Sequence, residues 1–222
     1  MGLDQYLNRM PRYKNVTANQ ISAMESYFEW TTGDNTKKYS FNKWCGHDLS
    51  ELPSIETIEY FRQFYSVRYS DWDVEKKFGF GRIMDQIGYW RKANHIHRWF
   101  VENVQDGIDD CNYHHEVTEE VLENILDACI EVLNSSVMTI GAVNNGCTIE
   151  NGELKDNIEI GKVIIDPSIA KNLLPTTGGF FFGSTDYDEY YVEGIKETID
   201  ICQNALATTD FEKEMIYYVS SW

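Results

Sequence analysis

Apolar residues recur at intervals of three and four in five stretches of the chain, and this spacing predicts helices. The stretches are 17–30, 54–65, 83–104, 118–134 and 187–206. Three of them begin at a residue that can cap a helix, namely Thr17, Ser54 and Thr118. The longest, 83–104, is followed by Gly107, which can end a helix.

Strands are predicted where β-branched and aromatic residues run between turn residues. They cover the first ten residues, 137–143, 157–166 and 215–222. Asn144-Asn145-Gly146 predicts a hairpin turn between the second and third of these strands. We therefore expect an α+β fold, with helices packed on a small, mainly antiparallel sheet. The length of 222 residues predicts a single domain, 1–222, with a variable elaboration at 31–80.

The composition is typical of a globular protein. Hydrophobic residues make up 42% of the chain and aromatic residues 14%, which is enough for a packed core. No run of 18 apolar residues occurs, and the first residues lack the basic and apolar regions of a signal peptide. The five cysteines are scattered, which favours reduced thiols and a cytoplasmic location without a membrane partner.

The net charge of −17 is unevenly distributed. Residues 1–110 hold 14 Lys and Arg against 16 Asp and Glu, whereas residues 111–222 hold 5 against 20. Such a surface disfavours direct binding to nucleic acid or to anionic membranes. The acidity has two interpretations: it serves solubility alone, or the second half imitates DNA or meets a basic partner.

Polar side chains interrupt one face of the predicted 83–104 helix. Trp90, Asn94 and His97 share that face with isoleucine and valine. A buried polar group without a partner costs about 1–3 kcal/mol, so Asn94 and His97 need partners. Either they form internal hydrogen bonds that tie helix to helix, or they face a ligand pocket.

A second row on the same predicted helix is basic. It contains Arg91, His95 and Arg98, together with Glu102. Arginine binds carboxylate or phosphate in a fork, so an anion could lie here. The alternative is a solvated face with ion pairs between residues four apart.

The stretch from Pro175 to Asp186 combines glycines, aromatic residues and hydroxyls before the last predicted helix. Asp186, followed three residues later by Glu189, resembles a capping box. Free amides at a helix start can hold an anion, and Phe181 could stack on a base or fill the core. The neighbouring carboxylates argue against phosphate unless a cation or Arg91 intervenes. The candidate ligand-binding residues are Trp90, Arg91, Asn94, His95, His97, Arg98, Thr176, Phe181, Ser184, Asp186 and Tyr187.

The sequence gives no catalytic residue, metal site or cofactor. The spacing of Cys45 and His47 is not a common zinc pattern, and the pair at Cys111 and His114 lacks a matching Cys-x2-Cys. An acidic neighbour, Asp110, disfavours a reactive thiolate at Cys111. Whether the protein is an enzyme stays open, with the balance against it.

Four stretches of the chain resemble a family of small tailed-phage proteins. They are the opening MGLD, residues 88–100 (GYWRKANHIHRWF), residues 174–191, and the closing SSW. The resemblance covers about half the chain. It implies a phage protein that acts in the cytoplasm of a bacterial host, and it carries no activity or catalytic residue.

Three functions fit these observations. The first is a non-enzymatic antagonist of a bacterial defence system, which binds a host protein or sequesters an anionic nucleotide signal. The second is a small enzyme acting on a nucleotide or phosphate ester, with His97, Asn94 and Asp186 around a pocket. The third is an acidic mimic of DNA. A homo-oligomer is compatible with all three.

Overall fold

The computed structural model of the protein describes residues 2–32, 35–69, 79–111, 114–150, 153–179 and 182–222. Helices and antiparallel sheets together form an α+β fold, which confirms the predicted fold class. The strands are β1 (Asp4–Pro11), β2 (Ser66–Tyr69), β3 (Gly79–Arg82), β4 (Asp85–Arg91), β5 (His115–Val117), β6 (Met138–Glu150), β7 (Glu153–Ile164) and β8 (Glu214–Ser221). The helices are α1 (Ala18–Thr32), α2 (Asn35–Lys38), α3 (Phe41–Cys45), α4 (Ile55–Arg62), α5 (Asn94–Asn103), α6 (Glu119–Ser135), α7 (Ser168–Leu173) and α8 (Glu189–Thr208).

Four strands form the largest sheet, in the order β4-β1-β8-β5. The first and last strands of the chain, β1 and β8, therefore lie side by side at the centre of this sheet. The edge pair β5–β8 is antiparallel, with Val117 opposite Ile216. Two separate antiparallel ribbons, β2–β3 and β6–β7, complete the described strands.

The chain divides into two compact units. The first contains Met1–Asn8, Gln86–Phe211 and Ile216–Trp222, and the second contains Arg9–Asp85 and Glu212–Met215. The predicted elaboration at 31–80 falls within the second unit. The single-domain organisation stays a prediction.

The core of the first unit forms between α6, α8, α5 and the sheet. The apolar spacing of α6 predicts five inward residues. Four are buried, namely Leu122, Ile125, Cys129 and Val132, and Val121 is partly buried. They meet the buried face of α8, which includes Ile195, Cys202 and Ala205. The hydroxyl of Thr118 accepts the backbone N–H of Val121 at 3.3 Å, which confirms the predicted cap of α6.

The second unit is organised around α1. Thr17 and Gln20 exchange hydrogen bonds of 3.0 and 3.2 Å at the start of this helix. The buried carboxylate of Glu25 accepts the backbone N–H groups of Ile83, at 2.6 Å, and Met84, at 3.2 Å. A carboxylate can be buried there because both hydrogen bonds compensate its lost hydration.

The predicted helix 83–104 is wrong in its first half. Residues 85–91 form strand β4, where Gly88 and Trp90 are buried and Tyr89 and Arg91 are exposed. This alternation is the period of a strand. Lys92, with a φ of 60°, then turns the chain, and α5 begins two residues later.

The predicted hairpin turn at Asn144-Asn145-Gly146 is also wrong. Strand β6 continues to Glu150, and its pairing with β7 shifts register between Asn144 and Cys147. Gly146 has a φ of 88°, which suits a bulge. The resulting ribbon is longer than the strands that the sequence predicts.

Among the described residues, no helix is both long and apolar enough to cross a membrane.

Replacing Ile125 by alanine should lower the free energy of unfolding by about 2–5 kcal/mol, because it leaves a cavity between α6 and α8. Ile130→Ala is the matched control, since Ile130 lies on the same helix but is 36% exposed, and we expect a loss of under about 1 kcal/mol. Urea denaturation measures both changes. Equal losses in the two variants would contradict the described orientation of α6.

Candidate functional site

Trp90 is a structural residue on the buried face of β4. Its indole Nε1–H donates to Oγ1 of Thr198 on α8 at 2.9 Å. That hydroxyl donates in turn to the carbonyl of Gly194 at 2.7 Å. The ring is fully buried, so it offers no stacking surface to a ligand.

Asn94, at the first position of α5, holds a distant loop in place. Its Nδ2 donates to the carbonyl oxygens of Phe182, at 3.2 Å, and Ser184, at 2.8 Å. Its Oδ1 accepts the backbone N–H of Thr177 at 3.0 Å. The predicted need for internal partners is therefore met, although these partners are loop backbone groups and not a second helix.

Further hydrogen bonds fasten the same loop. The backbone N–H of Thr176 donates to the hydroxyl of Tyr187 at 3.3 Å, and the Thr176 hydroxyl donates to the carbonyl of Thr185 at 3.0 Å. Tyr191 donates its hydroxyl to the carbonyl of Leu174 at 2.9 Å. Two predicted ligand residues, Thr176 and Tyr187, thus bond to each other.

The start of α8 is already occupied by a carboxylate. The helix begins at Glu189, and Oδ1 of Asp188 accepts the N–H groups of Tyr190 and Tyr191 at 3.0 Å each. The predicted capping pair of Asp186 and Glu189 is therefore wrong, since the cap lies two residues later. Burial raises the pKa of Asp188, although these two hydrogen bonds act in the opposite direction.

The other predicted residues of this loop lie at its surface or outside the described part of the chain. The hydroxyl of Ser184 accepts the N–H of Asp186 at 3.1 Å, and Asp186 is exposed. Phe181 lies outside the described residues.

His97 belongs to a buried chain of hydrogen bonds between α5, β8 and β1. Its Nδ1 lies 2.9 Å from the hydroxyl of Tyr218, which donates to Oε1 of Gln5 at 3.1 Å. Gln5 donates its Nε2–H in turn to the carbonyl of Ala93 at 3.1 Å, which extends the chain to the residue before α5. Its Nε2 lies 3.1 Å from Oδ2 of Asp109, within ion-pair distance but not aligned as a hydrogen bond.

His95 is packed inside the first unit. Its ring lies 4.3 Å from the ring of Tyr191, and a Cβ at Gly194 would lie 3.0 Å from its Cε1. Complete burial lowers the pKa of His95 to about 3. The imidazole is thus neutral at physiological pH and offers no positive charge to an anion.

The predicted basic row does not form. Arg91 precedes α5, and its Nη1 donates to Oδ1 of Asp4 at 3.0 Å. Arg98 donates through Nε to Glu102 at 2.8 Å, which is the predicted pair of residues four apart, and through Nη1 to the carbonyl of Thr176 at 3.4 Å. The ligand-binding role of both arginines stays a prediction.

Two surfaces of the first unit lie outside the predicted ligand-binding residues, and only the first belongs to the acidic half that could meet a basic partner or imitate DNA. One is the exposed face of α6 and α8, which carries Glu119, Glu120, Glu123, Asp127, Glu131, Glu193, Glu197 and Asp200. The other is the β6–β7 ribbon, where Ile140, Ile158 and Ile160 are 78%, 60% and 86% exposed. Ile158 and Ile160 alternate with Glu159 and Gly161 in the sequence, which is the pattern of a strand with one apolar face. This pattern could have indicated the ribbon surface if the apolar face had been assigned to solvent.

Comparisons with protein-family models, with curated proteins and with solved structures gave no match. Among the described residues, no group of three or more His, Cys, Asp and Glu side chains is arranged to hold a metal ion.

Asn94→Ala should free the loop around 174–187, because it removes three hydrogen bonds at once. We expect a loss of about 2–5 kcal/mol in the free energy of unfolding and faster amide exchange at Thr177. Arg91→Ala, which removes an exposed ion pair, should cost under about 1 kcal/mol and leave that exchange unchanged. Equal amide exchange rates at Thr177 in the two variants would contradict the role of Asn94 in holding the loop.

The burial of His95 predicts a pH dependence of stability. Its folded-state pKa of about 3 lies below the ordinary 6.5, so the unfolded chain binds the proton first as the pH falls. As the pH falls from 6.5 towards 3, protonation of this residue in the unfolded chain should lower the free energy of unfolding by about 1.4 kcal/mol per pH unit. The quantity to measure is the difference between unfolding free energies at pH 7 and at a pH of about 5, which His95→Leu should make smaller. An unchanged difference in that variant would refute the prediction.

Proposed function

We propose that this protein binds a basic surface of a bacterial host protein through an acidic layer formed by α6 and α8. It would act as a non-enzymatic, phage-encoded antagonist of a host defence system in the host cytoplasm. The origin and location in this proposal rest on the resemblance of residues 88–100 and 174–191 to tailed-phage proteins. The mode of action rests on the acidic layer.

The layer supports binding because its charge is nearly all of one sign. Helix α6 carries five carboxylates and no basic residue, and α8 carries four carboxylates and one lysine, Lys196. All five carboxylates of α6 are exposed, and none forms an ion pair with a described residue. Like charges on one surface repel each other and oppose folding, whereas a basic partner turns the same field into attraction.

Neighbouring features point away from a small anionic ligand at the predicted site. Asn94, Thr176 and Tyr187 use their polar groups inside the protein, His95 is neutral, and the first amides of α8 bond to Asp188. Nucleotide sequestration or catalysis there would require the loop to open and those bonds to break. Both functions therefore rank below protein binding.

Imitation of DNA is the second candidate, because the same acidic layer supports it. A mimic would bind the DNA-binding surface of its target, so DNA would compete with it. An antagonist that meets another basic surface would be indifferent to DNA. Competition by a DNA duplex distinguishes the two.

The triple variant E123Q/D127N/E131Q should capture less of a specific partner from a bacterial lysate than the wild type. With the purified partner, we expect binding about tenfold or more weaker and a reduced dependence on salt, since three charges leave the layer. The matched control is E59Q/D106N/E153Q, which removes three exposed carboxylates outside α6 and α8. Mass spectrometry of the captured material identifies the partner and any nucleotide that elutes with the protein.

Two results would count against the proposal. Equal partner binding by both triple variants would exclude the acidic layer as the interface. Turnover of a substrate, or full effect at amounts far below those of the target, would indicate an enzyme, because an antagonist that binds must titrate its target.

A further inference from the structure

The β6–β7 ribbon has one face that begins in the core and then continues into solvent. Met138 and Ile164 are paired at its base, where Ile164 is buried. The next pairs on the same face are Ile140 with Lys162, Ala142 with Ile160, and Asn144 with Ile158. All the isoleucines in these outer pairs are more than half exposed.

The opposite face of the ribbon is covered in part by α8. Val143 is buried there, and Glu159 accepts the hydroxyl of Tyr190, on α8, at 3.2 Å. A Cβ added at Gly161 would meet the side chains of Val143 and Glu189. The ribbon therefore lies against the start of α8 through the part of this face around Val143 and Gly161, whereas the isoleucine face is open.

An open apolar face on a two-stranded ribbon needs an explanation. Such ribbons are marginally stable in water by themselves, and contiguous exposed apolar surface marks interaction sites. The stripe formed by Ile140, Ala142, Ile158 and Ile160 is continuous with the core, so a partner would extend a packed layer that already exists.

The opposite charges of Asp156 and Lys162, at the two ends of the stripe, favour a second copy of this chain as the partner. Along β7 the open face carries Asp156, Ile158, Ile160 and Lys162, in that order. A two-fold axis at position 159 places Asp156 opposite Lys162 of a second copy, and Ile158 opposite Ile160. Neither Asp156 nor Lys162 forms an ion pair with a described residue of its own chain. The pattern is therefore self-complementary.

The edge of β7 favours face-to-face packing over side-by-side pairing. Val163 forms a β-bridge with Asp188, and the N–H of Ile164 donates to the carbonyl of Tyr187 at 2.9 Å. Residues 187–188 thus occupy the end of this edge at positions 163–164, so a second β7 could not pair along its full length. Packed sheets do not require that edge, since their side chains interdigitate across about 10 Å.

We infer that the protein forms a symmetric homodimer in which the open faces of two β6–β7 ribbons pack together, with each β7 antiparallel to its partner and Asp156 of one copy facing Lys162 of the other. The isoleucines supply the apolar contact, and the two ion pairs fix the register.

Analytical ultracentrifugation of the full chain over a range of concentrations tests this inference. The wild type should show a reversible monomer–dimer equilibrium, and Ile160→Asn should weaken it by about tenfold or more. Ile108→Asn is the matched control, because Ile108 is 67% exposed but lies in the loop after α5, and it should leave the dimer unchanged. Thermal unfolding of each variant checks that the fold is retained.

Charge swaps test the register separately. D156K and K162D should each weaken dimerisation by about tenfold, because each places like charges opposite one another, and D156K/K162D should restore it. A wild type that stays monomeric at the highest attainable concentration would overturn the inference. So would a dimer that tolerates Ile160→Asn, or a double swap no better than either single change.

Discussion

The side-chain amide of Asn94 is buried, and it can be buried only because both of its ends are hydrogen-bonded. Three backbone groups of a loop more than 80 residues away satisfy it, namely those of Thr177, Phe182 and Ser184. These bonds hold the loop against the first turn of α5, and the loop leads directly into Asp188, which caps α8. Since α8 contributes part of the core and part of the acidic layer, the position of that layer depends on this amide.

Local signals were sufficient for the elements whose ends are determined by neighbouring residues. Helices α1 and α6 were predicted because Thr17 and Thr118 cap them and their apolar stripes are regular. The stretch 85–91 was wrongly predicted because its apolar spacing also fits a helix. What makes it a strand is its pairing with β1, closed by the bond from the N–H of Lys92 to the carbonyl of Leu3. That contact spans almost 90 residues and has no local signature.

In the candidate site, too, local signals predicted some features, whereas contacts between distant residues could not be predicted. The sequence indicated correctly that Asn94 and His97 lie in a buried environment and require partners, because helical spacing after residue 94 is a local property. It could not supply the partners, since Tyr218 is 121 residues from His97. The extension of the β6–β7 ribbon beyond residue 144 was missed for a different reason. Asn-Asn-Gly has the composition of a hairpin turn, but Gly146 uses its positive φ in a bulge, so the strand continues and its open face is longer than the pattern suggests.

The acidic layer and the open ribbon face differ in the electrostatic cost of self-association. Two acidic layers repel each other, so self-association through α6 and α8 is unfavourable at low salt. The ribbon face is apolar at its centre and carries one charge of each sign at its ends, so self-association through it would carry little electrostatic cost. A dimer formed through the ribbons would present two acidic layers to a target with two basic sites. The second contact would then be intramolecular, and the avidity would exceed the affinity of either layer without any additional contact.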